Sequence, residues 1–330
     1  RDRMTPSAVI PIHTPHEAIA EIEFAVKELG FKTVTIPGCV TRPVADAGGN
    51  RHAVWIDPLA VDSLYDYDPV WAKCIELGVA PATHHSGMGT GWGARATTTN
   101  FMYNHIGHFA AGADAVCKAL FMGGVTRRFP DLRIGFLEGG AGWAVSLLND
   151  ITEHWEKRNI ESLRKVNDPQ LLDRADLSSY FRRYGADLLG ATGDPDAFDS
   201  IFASPPGVET AEDVDDWGAV GLTRKADIGK RFLPNFFVGC EVDDRMNGAA
   251  FDPRLNPFGA KLNAFLGSDI GHWDVPDPTQ ILADAWALVT DGLLSEEDFA
   301  AFTFGNVARL HTEMNPKFFE GTAVESAVAA

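Results

Sequence analysis

The sequence predicts an α/β protein built on a parallel sheet, and three observations carry that expectation. Short β-branched or aromatic runs alternate with longer helical patterns along most of the chain. Six such runs qualify as strands, starting near Ala8, Thr33, Val79, Leu132, Phe236 and Ala264. Imidazoles and carboxylates stand where most of these runs end, and in a parallel α/β architecture those ends are where the connecting loops gather.

The elements follow in order. The run Ala8 to Ile12 leads into a charged, periodic stretch from His16 to Leu29 that reads as helix. Thr33 to Ile36 is a strand stopped by Pro37-Gly38. Between Asp68 and Leu77, the residues Val70, Trp71, Cys74 and Ile75 recur on one helical face, and a strand from Val79 to His85 follows. A helix over Asn104 to Met122 precedes the strand Leu132 to Leu137, and a long helix runs from Trp143 to about Arg158. The stretch 160–230 breaks this rhythm with many Asp residues and the loop-like Ser204-Pro205-Pro206-Gly207. It is expected to be a helical insertion within a single domain spanning 1–330. Phe236 to Val242 and Ala264 to Leu266 are the last strands. A helical region then runs from Pro278 to near His311, and Ala323 to Ala330 is expected to fray.

Six strands fit either an open doubly wound sheet or a closed barrel with two strands missing. Dinucleotide binding is disfavoured, because Gly87, Gly89, Gly91 and Gly93 are spaced G-x-G-x-G-x-G and no helix pattern starts there.

Composition narrows the function. The 330 residues hold 28 Lys and Arg against 46 Asp and Glu, a formal charge of −18 that repels nucleic-acid phosphates and anionic membrane surfaces. Cys39, Cys74, Cys117 and Cys240 show no CxxC spacing, so neither a disulfide framework nor a thiolate zinc site is expected. No apolar run approaches the roughly 20 residues that cross a bilayer. A cytoplasmic enzyme acting on a small molecule is the expectation, with a homodimer allowed. Arg1-Asp2-Arg3 opens almost directly onto the Ala8 strand, so the chain is expected to be a fragment truncated at its N-terminus.

The strand ends carry His13, then His84-His85, then Glu138, then Glu241 with Asp243 and Asp244, then Asp269 followed by His272. Imidazole and carboxylate are the donors expected around a catalytic divalent ion such as zinc. Glu138 directly follows an apolar run, and a carboxylate there is costly unless paired or metal-bound. Trp273 and Pro276 argue against Asp269 being a simple helix cap. His105 and His108 are assigned to a helix face, and His154 and His311 to solvated helix ends.

Three segments together resemble the second amidohydrolase family, the aminocarboxymuconate semialdehyde decarboxylase-like branch of the metal-dependent hydrolases. They are Phe129 to Gly140, Leu266 to Trp273, and Pro69 through Val79 to His84; Phe304 to Leu310 is similar to the family's closing helix. The resemblance implies a distorted (β/α)8 TIM barrel of the metal-dependent hydrolase type, with its first one or two strands missing here, and a divalent metal at its mouth, zinc foremost and manganese as the alternative. It implies metal ligation by His84 and Asp269, with Asp269 also exchanging a proton. Glu138 stands where the family usually has His, so it is read as a ligand or a base. The family's first-strand metal motif is absent from the sequence.

Two chemistries share these residues: non-oxidative decarboxylation of a small carboxylic or aromatic substrate, and hydrolysis of an ester, amide or lactone. Arg95 is the candidate clamp for a substrate carboxylate, and His85, Trp92 and His272 are further substrate-binding candidates. The rival from another class is a barrel that has lost catalysis and serves as a binding or oligomerisation module.

Overall fold

The computed structural model describes residues 2–45, 48–50, 52–84, 97–185, 187 and 210–329. The chain packs as two compact units, one made of Arg1–Thr152 with Ala219–Ala330 and the other of Glu153–Gly218.

The first unit is organised by one sheet of six parallel strands. These are β1 (Ser7–Val9), β2 (Thr33–Ile36), β5 (Pro81–Thr83), β6 (Ile134–Phe136), β7 (Phe236–Cys240) and β8 (Asn263–Leu266), in that spatial order. Register is set by pairs such as Val34 with Pro81, Ala82 with Gly135, Ile134 with Phe236 and Phe237 with Asn263. Each strand coincides with one of the six runs read from the sequence. All five residues of β7 are buried, as expected of a strand covered on both faces. Ala80, Phe237, Phe265 and Leu310 form a core cluster there.

An antiparallel pair absent from the sequence reading, β3 (Val40–Pro43) and β4 (Val54–Asp57), lies outside that sheet. It carries a buried polar cluster. Arg42 donates from Nε to Asp57 Oδ2 at 2.7 Å, from Nη2 to the Tyr67 hydroxyl at 2.8 Å, and from Nη1 to the His13 carbonyl at 2.8 Å. The Tyr67 hydroxyl donates in turn to the Ile12 carbonyl at 2.7 Å. This cluster holds the segment after β1 against the hairpin.

The helices follow local signals. In α1 (Pro15–Glu23), Thr14 caps the N-terminus through the Glu17 amide, and Ala18 and Ile22 are buried. In α2 (Asp68–Leu77), Val70, Trp71 and Cys74 are buried, and Gly78 ends the helix in the left-handed conformation. The expected single helix from Asn104 to Met122 is two, α3 (Phe101–His105) and α4 (His108–Met122). Ile106 leaves helical geometry, and Gly107 turns the chain at φ +75°. Helix α6 (Gly142–Arg158) buries Leu147, Leu148 and Ile151.

In the second unit, α7 (Ile160–Ser162) runs into a π-helical turn, Leu163–Asn167, and α8 (Arg174–Tyr184) is capped by Asp173. Arg164 pairs there with Glu212. His154 is exposed, as expected of a solvated helix end.

His311 departs from the same expectation. Its ring lies parallel to Phe318, 4.1 Å between centroids and 6° between planes, and Nδ1 is shielded from solvent with no hydrogen-bond partner. Burial pushes its pKa down to about 4.

Candidate active site

The C-terminal ends of the central strands bring the chemistry-bearing residues together. His84 directly follows β5 and Glu138 follows β6 by two residues. The Leu137 amide extends the strand pairing by donating to the Thr83 carbonyl at 3.0 Å, which aligns the two ends. His84 Nε2 is hydrogen-bonded to Glu138 Oε2, and the His84 ring meets Phe109 edge-on at 4.8 Å. This bond and the positive potential of His84 hold the Glu138 carboxyl below the usual range, against an opposing push from burial.

Asp269 lies three residues beyond β8, where the Gly267 amide donates to the Cys240 carbonyl at 2.8 Å. Asp269 Oδ2 is 3.4 Å from His272 Nδ1, and the same nitrogen is hydrogen-bonded to Asp274 Oδ1. Among the described residues, Asp269, His272 and Asp274 are the three that offer ligand atoms within 4.8 Å of one another. His272 is pushed up, chiefly by its bond to Asp274. Burial and the charge of Glu138 push Asp269 up. Glu241, directly after β7, is raised by burial first and then by Asp243, Glu138, Asp269 and Asp274.

Glu138 and Asp269 share a backbone peculiarity. Their φ values are +64° and +48°, in the left-handed region that ordinary L-residues enter at a cost of about 1–2 kcal/mol. Leu59, Asp62 and Phe258 adopt the same conformation outside this cluster, so it marks the site only together with the side chains that converge there.

Two open clefts flank the cluster. One of about 210 Å³ lies between His105, Phe109, Glu138, Glu241 and Asp244. The other, of about 410 Å³, includes Glu241, Asp243, Asp269, Asp274 and Asp277 in its walls. His105 does sit on a helix, but that helix places it in the first cleft beside Glu138, with its ring stacked on Phe101 at 5.1 Å. His108, only 3% exposed, donates from Nδ1 to the His105 carbonyl at 2.6 Å and leaves Nε2 without a partner. Neither His105 nor Asp274 was singled out as a site residue from the sequence. The signal for Asp274 was its spacing two residues after His272; His105 carried none beyond its residue type.

The structure thus gathers His84 with Glu138, and Asp269 with His272 and Asp274, on one end of the sheet. His13 is exposed, and its carbonyl is engaged by Arg42. His85, Trp92 and Arg95 lie outside the described residues. Imidazole nitrogens and carboxylate oxygens in this density are donors suited to zinc or manganese, so the residues present fit a divalent ion.

A parallel α/β sheet with its acids and imidazoles gathered at the strand ends follows the plan of an α/β-barrel site. The chain belongs to the amidohydrolase family, whose sequence model matches residues 1–215. Among solved structures, an amidohydrolase from Mycobacterium avium subsp. paratuberculosis is similar at a TM-score of 0.50 and 17% identity, over 92% of this chain and 57% of that one. The chain therefore spans little more than half the length of that relative. A 2,6-dihydroxybenzoate decarboxylase from Rhizobium gives 0.49 and 16%, over 94% of this chain and 72% of that one. A dihydroxybenzoic acid decarboxylase from Polaromonas sp., with bound manganese, gives 0.47 and 17%, over 93% of this chain and 69% of that one. The fold class is that of the amidohydrolase TIM barrel, present here as six parallel strands among the described residues rather than a closed ring.

Proposed function

We propose that the chain forms the active site of a metal-dependent enzyme, a hydrolase or a non-oxidative carboxy-lyase acting on a small molecule. The observation that carries this reading is the convergence of His84–Glu138 and Asp269–His272–Asp274 at the strand ends, with Glu138 and Asp269 held in left-handed backbone. Donors for a divalent ion, zinc or manganese, come from His84, Glu138 and Asp269, with His272 and Asp274 beside them. Such an ion, when bound, supplies Lewis-acid polarisation of a substrate oxygen.

The protein groups do the rest. Asp269 takes a proton at its carboxylate from attacking water in hydrolysis, or delivers one to carbon after loss of CO2. His272, bonded to Asp274 and close to Asp269, keeps that carboxylate oriented. His84 fixes Glu138 in the same way. His105 and Phe109 wall the cleft in which a small substrate lies against Glu138. Among the described residues no helix is long and apolar enough to cross a membrane.

The test is elemental analysis of the purified protein with two variants. About one zinc or manganese per chain, lost in His84→Ala and in Asp269→Ala, is expected. A protein that takes up no divalent ion, and whose thermal stability does not respond to any, overturns the reading.

A further inference from the structure

Charge at the strand ends separates the two chemistries that the ligand set leaves open. Glu138, Glu241 and Asp244 line the smaller cleft. Glu241, Asp243, Asp269, Asp274, Asp277 and Asp284 line the larger one. No Lys or Arg is among the described residues lining either. A divalent ion offsets the charge of two of the eight carboxylates and the His84–Glu138 and His272–Asp274 pairs engage two more, which leaves half of them uncompensated on a chain that stands at −18. Clefts lined by one sign of charge focus their field on the ligand that enters them.

A second feature at the same mouth points the same way. Trp273, between His272 and Asp274, is 72% exposed and meets the Phe101 ring at 6.3 Å, while Ile106 and Ile270 are exposed nearby in sequence. Aromatic faces beside carboxylates are the pairing that recognises an organic cation, through ring quadrupole and charge together.

We infer that this site takes a substrate bearing a cationic nitrogen, such as an amino ester or amino amide, and not a carboxylate anion. The inference rests on the proposed active site and deepens it. A carboxylate substrate of a decarboxylase has to enter against the field; an ammonium-bearing substrate is drawn in. Hydrolysis is then the reaction served: water's oxygen joins the acyl carbon, the bond to the leaving oxygen or nitrogen breaks, and a proton of that water ends on the leaving group.

Three ring probes that differ in charge test this by calorimetric titration: 2-phenylethylammonium, 2-phenylethanol and phenylacetate. Each is titrated into the protein with and without added manganese, at low and high salt. The ammonium is expected to bind at least about tenfold tighter than phenylacetate at low salt, with the alcohol between, and the gap is expected to shrink as salt screens it. Asp277→Asn with Asp284→Asn narrows the gap several-fold and leaves the alcohol unchanged. Equal or tighter binding of phenylacetate to the manganese-loaded protein overturns the inference, as does saturable binding of none of the three. Metal content and ester turnover, measured on the same samples, report on the enzyme reading separately. A protein without metal or turnover that still prefers the ammonium refutes the enzyme and not the charge selectivity.

Discussion

Replacement of His311 by Phe isolates one half-buried imidazole and tests its contribution to stability as pH falls. His311 sits on the helix Asn306–Thr312, stacked on Phe318, with Nδ1 out of solvent and unpaired. Burial strips water from the charged form, so the folded pKa is about 4 against 6.5 for the free side chain. The unfolded chain therefore binds the proton first as pH drops, and stability must fall. The group imposes no proton-linked penalty above pH 6.5. Its penalty grows between 6.5 and 4 and is constant below. At about 1.36 kcal/mol per pKa unit the full span is roughly 3 kcal/mol, and about 2 kcal/mol of it is lost by pH 5. Phe keeps the stack and has nothing to protonate, and it removes an unpaired polar atom from the interior. Urea unfolding of both proteins at pH 7.5, 6 and 5 gives the comparison. At pH 7.5 the variant is expected to be as stable as the parent or slightly more so; by pH 5 the difference should have widened in its favour by about 2 kcal/mol. Carboxylates that titrate lower down contribute equally to both proteins and cancel in that difference. Parallel pH curves would refute the reasoning, because they require an imidazole with the same proton affinity folded and unfolded.

Other perturbations follow from named contacts. Arg42→Met leaves the fully buried Asp57 without its cation and should cost about 3–5 kcal/mol, read by thermal or urea unfolding; a loss below about 1 kcal/mol would mean that the cluster is not formed. Gly124→Ala should cost at least about 2 kcal/mol, since φ is +73° and the added Cβ would stand 2.3 Å from the Ala219 carbonyl oxygen, a backbone atom with little room to yield. In the metal-free protein Glu138→Gly should be more stable than Glu138→Ala by about 1 kcal/mol, because both lose the bond to His84 and only glycine relieves the left-handed backbone. Both Glu138 variants should show reduced bound metal in elemental analysis.

The parts of the fold that the sequence made legible are those where one residue's environment decides its type. Strands of a parallel sheet covered on both faces become continuous apolar runs, and Phe236–Cys240 is such a run, buried throughout. The hairpin Val40–Pro43 with Val54–Asp57 could not be read that way. Its four-residue strands contain Arg42 and Pro43, and the reason Arg42 is tolerated, its pairing with Asp57 and Tyr67, lies 15 and 25 residues away. His311 misled for a related reason. Its charged neighbours Arg309 and Glu313 suggest a solvated turn, yet Glu313 accepts from Arg133 at 2.5 Å and Arg309 reaches Asn263 at 3.2 Å. Those partners fix which way the helix faces.

The candidate site divides along the same line. That imidazoles and carboxylates end the strands was visible in residue type and position. That His84 meets Glu138 depends on β5 and β6 being neighbours in the sheet, a relation between residues 54 positions apart. Least visible was the left-handed backbone at Glu138 and Asp269. Asp is among the side chains that tolerate this conformation, but Glu has no such preference, so nothing local in Phe136-Leu137-Glu138 announces it. Stability alone favours glycine at such a position, and glycines are at hand in Gly139 and Gly140, the latter itself at φ +69°. A carboxylate kept where glycine would relieve the backbone is therefore a stronger argument for chemistry at this strand end than its residue type. It is also the argument that Glu138→Gly, with its stability relative to Glu138→Ala set against its loss of metal, puts to the test.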